Sequence, residues 1–548
     1  MYDESTAKLI RSAPELDGLN LEKLPDFLTE TFAQIVAARI RLRGSDVQDT
    51  EDLSRLIKKV KRLAYTNESL VALLPERENR ASTAFVAATA HQLCFSSDVL
   101  LGLAPSKSQL NADSISSDIS AMLLFMVAEA TADASEVSKS IIAENCSGIE
   151  GALIESLRDL AKGKLLHLVA REIPEIERGE FGDLAKIAVQ ALYLTILKGV
   201  HLLAQQMLSV DSADEFDDPT LIFKQIADHS IGREESISLE GRELFVGGFS
   251  GPAHLASLLI SVSTDLLDCA VTRIPKPRQI SRRKWNESIE RIASSRPYLW
   301  RNHRSAIEQG YLKRGTSSVI GFPTGAGKST LAELKINTAL LTGRAVVFLA
   351  PTHALVDQTS NSLKQAFPSA SVQRERQDGV GLALGDDNLP EVFVMTPESC
   401  LMQISIDPEI FVEVGLVVFD ECHLLHPSEQ VNDRRAIDAM LCILSLSKLA
   451  NRADFLLLSA MMRNTDDISE WIAELTDRPC LSLSLPWKPT RQLRGSVVYQ
   501  QERVTELNDE LMAAQKNAKT KGPSAKLKRS LAAKPFALFS MKKTWETN

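Results

Sequence analysis

The ten residues Gly321-Phe322-Pro323-Thr324-Gly325-Ala326-Gly327-Lys328-Ser329-Thr330 sit between an apolar strand-like run and a helix-like run. Few segments constrain a fold as tightly. A glycine-rich turn from strand to helix aims its backbone N–H groups at an anion, with a helix N-terminus behind them. Thr324-Gly325-Ala326-Gly327-Lys328-Ser329-Thr330 forms the candidate cradle. Lys328 suits the β- and γ-phosphates of a nucleoside triphosphate, and the Ser329 hydroxyl suits Mg²⁺. The strict pattern G-x-x-x-x-G-K-[ST] has glycine at its first position. Here that position is Phe322, and Gly321 lies one place early.

A chain of 548 residues has room for about three domains. Its 44% hydrophobic and 24% charged residues are those of a globular protein. No uninterrupted run of about 18 apolar residues occurs, so no membrane partner is expected. The first residues, with Asp3 and Glu4, lack a basic, apolar, small-residue leader pattern. The seven cysteines form no C-x-x-C pair, which fits a reducing cytoplasm. The formal charge of −9 is unevenly spread. Residues 1–272 carry 25 basic and 41 acidic side chains, whereas residues 273–548 carry 37 and 30. The second half therefore remains open to a polyanion partner.

The first 272 residues read as helix. Apolar positions recur near a 3.6 period over Leu24–Leu42, Thr50–Leu63, Ser82–Phe95, Ser114–Ile141, Ile149–Leu168 and Leu184–Leu208. Breaks are expected at Pro75, Pro105, Pro174 and Asp211–Pro219. No motif with chemistry lies in this region, which reads as a helical accessory or docking domain. Residues 273–300 follow as a basic linker, with two prolines and six basic side chains in Arg273–Lys284. Beyond residue 315 short β-branched runs alternate with helical ones. Strands are expected over Ser317–Phe322, Ala345–Ala350, Glu391–Met395, Leu416–Asp420 and Phe455–Ser459. Such a series implies an α/β lobe with a mainly parallel sheet, whose ligands bind at the carboxyl ends of the strands.

Leu416–Asp420 ends in two adjacent carboxylates, Asp420 and Glu421, in the run Asp420-Glu421-Cys422-His423. Neighbours at a strand end point differently and can divide the work. Asp420 is placed for Mg²⁺, and Glu421 for general-base activation of an attacking water.

Together, Pro323–Ser329 and Asp420–His423 resemble the DExH-box helicases of superfamily 2. Three further segments agree in order: Ala350–Gln358, Thr396-Pro397-Glu398 and Ser459-Ala460-Met461, the last with Met461 where threonine is usual. The resemblance implies a RecA-like P-loop NTPase lobe over 301–500, ATP and Mg²⁺ as cofactors, and DNA or RNA, single-stranded, as partner. It implies that Thr352 and Thr396 contact backbone phosphates, which position a strand without reading its sequence. It implies that His423 and Ser459 couple nucleotide state to strand movement. Leu299–Ile307 resembles the family's adenine-sensing segment, with His303 at the usual glutamine position.

The family pairs this lobe with a second RecA-like lobe bearing arginines, and an arginine finger is worth roughly 10³–10⁵ in rate. No second set of strands is legible after Ser459. Residues 501–548 read as a basic loop and the start of a further region, with eight lysines, one arginine and no acid over 511–545. The expectation is the N-terminal part of a longer helicase or one half of a split one. The second lobe then comes from the rest of that chain or from a partner subunit. A large helical region ahead of such a core resembles bacterial helicases of DNA repair or anti-phage defence. An effector protein docked on residues 1–272 would suit that setting. Two other functions stay open: a P-loop nucleotide switch, and a scaffold that recruits an effector without unwinding.

Overall fold

The computed structural model describes residues 21–43, 50–100, 109–141, 148–176, 184–210, 218–231, 236–239, 242–245, 248–375, 390–425, 434–460, 462, 464–489, 495–498, 501–517 and 537–540. They fall into two compact units, Met1–Pro489 and Thr490–Asn548.

The first unit begins with helices. Leu24–Arg43, Thr50–Leu73 and Arg77–Leu100 bury Leu24, Ile35, Val60, Ala64 and Leu93 in a small core of their own. A larger core gathers the helix Ser117–Val127, buried from Asp118 to Val127, with Leu153, Leu157, Leu197, Val200 and Leu259 from later helices. The helix Leu184–Leu208 has the bounds its periodicity predicts. By length and composition its Ala185–Leu208 stretch could cross a membrane, yet Ile196, Leu197, Val200, Leu203 and Ala204 are fully buried within the protein.

Two expected helices are each divided. Ser114–Ile141 becomes Ser117–Val127 and Thr131–Ser140, parted at Glu129, which takes φ 57°. Ile149–Leu168 becomes Gly148–Ala161 and Leu165–Val169, parted at Gly163 with φ 69°. The region is also not wholly helical. Strands β1 (Ser236–Leu239) and β2 (Arg242–Phe245) form an antiparallel pair. Expected breaks at Pro105 and over 211–217 lie outside the described residues.

Residues 273–300 are built more firmly than a solvated linker. Ile274, Ile280 and Trp285 are buried, and Arg282–Ser295 is a helix capped by Ser281. Arg282, Arg283 and Lys284 are exposed, while Trp285 and Ile289 join the core of the following lobe.

That lobe is a seven-stranded, wholly parallel sheet of β3 (Ser317–Ile320), β4 (Ala345–Leu349), β5 (Val372–Arg374), β6 (Val392–Met395), β7 (Val414–Asp420), β8 (Asp454–Leu458) and β9 (Cys480–Leu483), in the order β5-β6-β4-β7-β8-β3-β9. β3, β4, β6 and β7 are nearly continuous in burial, as a sheet covered on both faces requires. Register sets the site. Ile320 and Asp420 both stand opposite Leu458, while Met395 and Phe419 both stand opposite Leu349. The segments after β3, β4, β6, β7 and β8 therefore leave the sheet at nearly one level.

In the second unit, β10 (Gly495–Val498) and β11 (Ala537–Ser540) pair antiparallel, and Gln501–Asn517 is a helix. Residues 518–536 and 541–548, most of the expected basic loop, lie outside the described residues.

Candidate nucleotide site

β3 ends at Ile320, and the helix Lys328–Leu341 begins seven residues beyond Gly321. The loop between them needs glycine at two places, Gly325 (φ 78°) and Gly327 (φ 92°). Phe322 needs no such freedom. Its ring is buried in the core of the lobe, so the unusual first position of the motif anchors the loop. Gly321 has a different reason: a Cβ there would stand 2.5 Å from the Thr465 methyl.

The Lys328 ammonium donates to the Phe322 carbonyl at 3.0 Å. Burial lowers its pKa, and the nearby Glu421 and Asp420 carboxylates counter that. Burial, and then the Glu421 charge, raise the pKa of Asp420. One ammonium thus faces two carboxylates at the sheet edge, and Ser329 and Thr324 are exposed beside it. A triphosphate with Mg²⁺ fits this donor set: loop N–H groups, a cation, a hydroxyl and a half-buried acid. Thr330 is differently engaged. Its hydroxyl accepts from Arg296 at 3.4 Å, and Arg296 also pairs with Glu333 at 2.6 Å.

Glu421 takes φ 53°, a left-handed backbone that costs a non-glycine residue roughly 1–3 kcal/mol. The turn carries its side chain to His423, whose Nδ1 lies 3.1 Å from Glu421 Oε2 and 3.4 Å from Ser459 Oγ. Ser459 is fully buried, and its N–H donates to the Ile320 carbonyl of β3 at 3.0 Å. The structure thus brings His423 and Ser459, both expected to couple nucleotide to strand, together with the expected base. Met461 lies outside the described residues.

Two expected roles change. His303 was expected to read adenine, but it is buried with both ring nitrogens in use. The Trp300 N–H donates to Nδ1 at 3.2 Å, and Nε2 donates to the Gly327 carbonyl at 3.1 Å. Since a backbone N–H only donates and a carbonyl only accepts, the ring is the neutral Nε2–H tautomer. Burial pushes its pKa down to about 4. Trp300 stacks on it with ring centroids 5.4 Å apart. A Cβ on residue 327 would meet Nε2 at 1.9 Å, so His303 and Gly327 are matched. Its role is to brace the loop.

Thr396 was expected to face a phosphate backbone. It is buried, donates to Glu375 Oε2 at 3.1 Å, and caps the helix Pro397–Ile406 by accepting from the Ser399 N–H. Thr352 caps the helix His353–Ala366 through the Leu355 N–H and stays half-exposed.

Three functional side chains had no legible signal. Asn302 donates to the Ala326 carbonyl at 3.2 Å and to the Trp487 carbonyl at 3.1 Å. Glu375 joins the Thr396 N–H at 2.7 Å to His353 at 2.5 Å. Arg296 is the third. Each works by spatial proximity across long sequence separations.

Residues 300–468 match the family model described as DEAD/DEAH box helicase. Similar curated proteins include the exosome RNA helicase MTR4 of Homo sapiens, 30% identical over 177 residues, 32% of this chain and 15% of that protein. The Hachiman protein HamB of Bacillus cereus is 26% identical over 206 residues, 36% of this chain and 18% of HamB. The ATP-dependent DNA helicase Hel308 of Methanococcus vannielii is 25% identical over 222 residues, 38% of this chain and 26% of Hel308. Each match spans at most about a quarter of the relative's length.

Proposed function

Residues 300–468 being a DEAD/DEAH box helicase domain, we propose that the chain hydrolyses ATP at the carboxyl edge of its parallel sheet and uses it to move along or unwind a nucleic-acid strand. One observation supports this above the rest. Register brings the loop after β3, the acids after β7 and Ser459 after β8 to a single level, with Lys328 facing Asp420 and Glu421. In this reading the loop N–H groups and Lys328 hold the phosphates, and Ser329 and Asp420 hold Mg²⁺, which supplies charge neutralisation when bound. Glu421 takes the proton of the attacking water, and His423 passes its position to Ser459. The described residues contain one sheet of this kind. The stabilising arginines then come from a second lobe, in the rest of a longer chain or in a partner subunit.

The printed names of the relatives include an RNA helicase and a DNA helicase, so both polymers belong in the test. We place the protein in the cytoplasm, in bacterial DNA repair or anti-phage defence, with an effector docked on the helical region. A nucleotide switch that moves no strand is the second reading, favoured by the inward hydroxyl of Thr396. Steady-state ATP turnover with the second lobe supplied separates them. Single-stranded DNA or RNA should raise the rate severalfold, and Glu421→Gln should bind ATP while turning over about a hundredfold or more slowly. A rate indifferent to both polymers would sink the helicase reading, and retained turnover in the variant would remove Glu421 as base.

A further inference from the structure

We propose a second ligand site at the amino edge of the parallel sheet, shaped for a phosphate-bearing molecule of the nucleotide type. A cavity of about 520 Å³ opens there, within the usual range of small-molecule sites. Its walls come from the beginnings of strands. Arg314 precedes β3, Arg344 precedes β4, Gly415 and Leu416 open β7, and Asp454 opens β8. In a parallel sheet these ends lie opposite those that carry Lys328 and Asp420. The seven residues of β7, at about 3.3 Å each, separate the two by roughly 20 Å. The cavity is therefore no part of the candidate ATP site.

Lys276, Arg278, Lys313, Arg314, Lys335 and Arg344 line this cavity against one carboxylate, Asp454. That carboxylate is already held by Lys335 at 3.6 Å and Arg478 at 3.2 Å. Among the described residues Arg278, Lys313 and Arg314 have no acidic partner, although Arg314 donates to the Gln279 amide oxygen at 2.9 Å. A concave wall with unbalanced charge of one sign concentrates its field on an incoming anion, and guanidinium forks match phosphate oxygens. The basic segment at 275–280 supplies one wall. It is held still by two prolines, by the buried Ile280, and by Lys276, which donates to the Ile280 carbonyl at 2.9 Å. Ile307 and Leu312 add an apolar wall where a base can lie. The ligand can be a free nucleotide or the backbone of a strand, since both present phosphate beside a planar base.

Photolabelling of the full chain tests this. One arm uses azido-adenosine monophosphate, and the other a short single-stranded oligonucleotide bearing thiothymidine, with labelled peptides mapped by mass spectrometry. Labelling within 275–280 or 310–314 is expected, and the arm that gives it identifies the source. The variant Arg278→Glu/Lys313→Glu/Arg314→Glu, all exposed positions, should lower that labelling by about tenfold or more. The neutral pair Arg278→Gln/Lys313→Gln should give an intermediate loss, and it carries the same reading should the triple variant fold poorly. Absence of labelling there in both arms, or labelling that survives charge reversal, overturns the site.

Discussion

Two backbone groups fix the protonation state of His303, and that state has a pH signature. The ring is neutral in the fold, with a pKa of about 4 against an ordinary value of 6.5. As pH falls from about 6.5 to 4, the unfolded chain takes up a proton that the folded chain refuses. His303 therefore costs stability on acidification, up to about 3 kcal/mol by pH 4, and costs nothing above neutrality. His303→Gln keeps an amide that can reach the Gly327 carbonyl and has no proton to gain. Its unfolding free energy should match the parent within about 1 kcal/mol at pH 7.5 and should fall less steeply between pH 6.5 and 4. Urea denaturation across that range checks it. Equal slopes in the two proteins would mean that His303 is not held neutral. The sequence placed a polar residue here in the right segment and gave it the wrong direction. Side-chain direction depends on how the helix Arg301–Glu308 docks on the loop, and spacing does not encode that.

Individual elements differ in how plainly the sequence shows them. Leu184–Leu208 and the five expected strands were legible, because the helix keeps one apolar period throughout and the strands are nearly continuous apolar runs buried along their length. β5 and β9 were not. Val372-Gln373-Arg374 is a short edge strand with two exposed residues, and Cys480–Leu483 is half-buried at the other edge. Their assignment rests on pairing partners far away in sequence. The same is true inside the helical region, where Glu68 is buried between His91 Nε2 at 2.7 Å and His254 Nε2. Burial alone would raise the Glu68 carboxyl, but the two imidazoles together hold it down at about 2. The carboxylate thus stabilises the fold above its unfolded value of 4.5, and that contribution disappears as pH falls toward 2. Glu68→Gln should lower unfolding free energy by about 1–3 kcal/mol at pH 7, since it removes the carboxylate that both buried imidazoles bond. The gap between the two proteins should close as the measurement moves toward pH 2. A gap that stays constant with pH would assign the loss to packing.

At the scale of the molecule, the helical region and the lobe share a polar seam. Glu129 accepts from Arg77 at 2.9 Å and from Arg304 at 2.6 Å. Cys269 Sγ, kept a thiol by burial, accepts from Arg304 at 2.7 Å, and the Cys269 carbonyl accepts from the Leu299 N–H at 2.7 Å. Arg304 directly follows His303 on the helix that also bears Asn302. Both of those side chains hold loop carbonyls, at Gly327 and Ala326. Glu129→Gln should therefore weaken ATP binding severalfold, although Glu129 touches no nucleotide-binding residue. Fluorescent-nucleotide titration would show it, and unchanged affinity with a lowered melting temperature would mean that the seam is only structural.

The same seam has a consequence for how the chain is made. Synthesis delivers Glu129 and Cys269 before Arg304, and Arg304 before the loop at 321–327. Domains fold as units, N-terminal first, as the chain emerges. Glu129 and Cys269 are therefore already made when Arg304 emerges to bond them. The groups that brace the candidate nucleotide loop are thus made before the loop they brace.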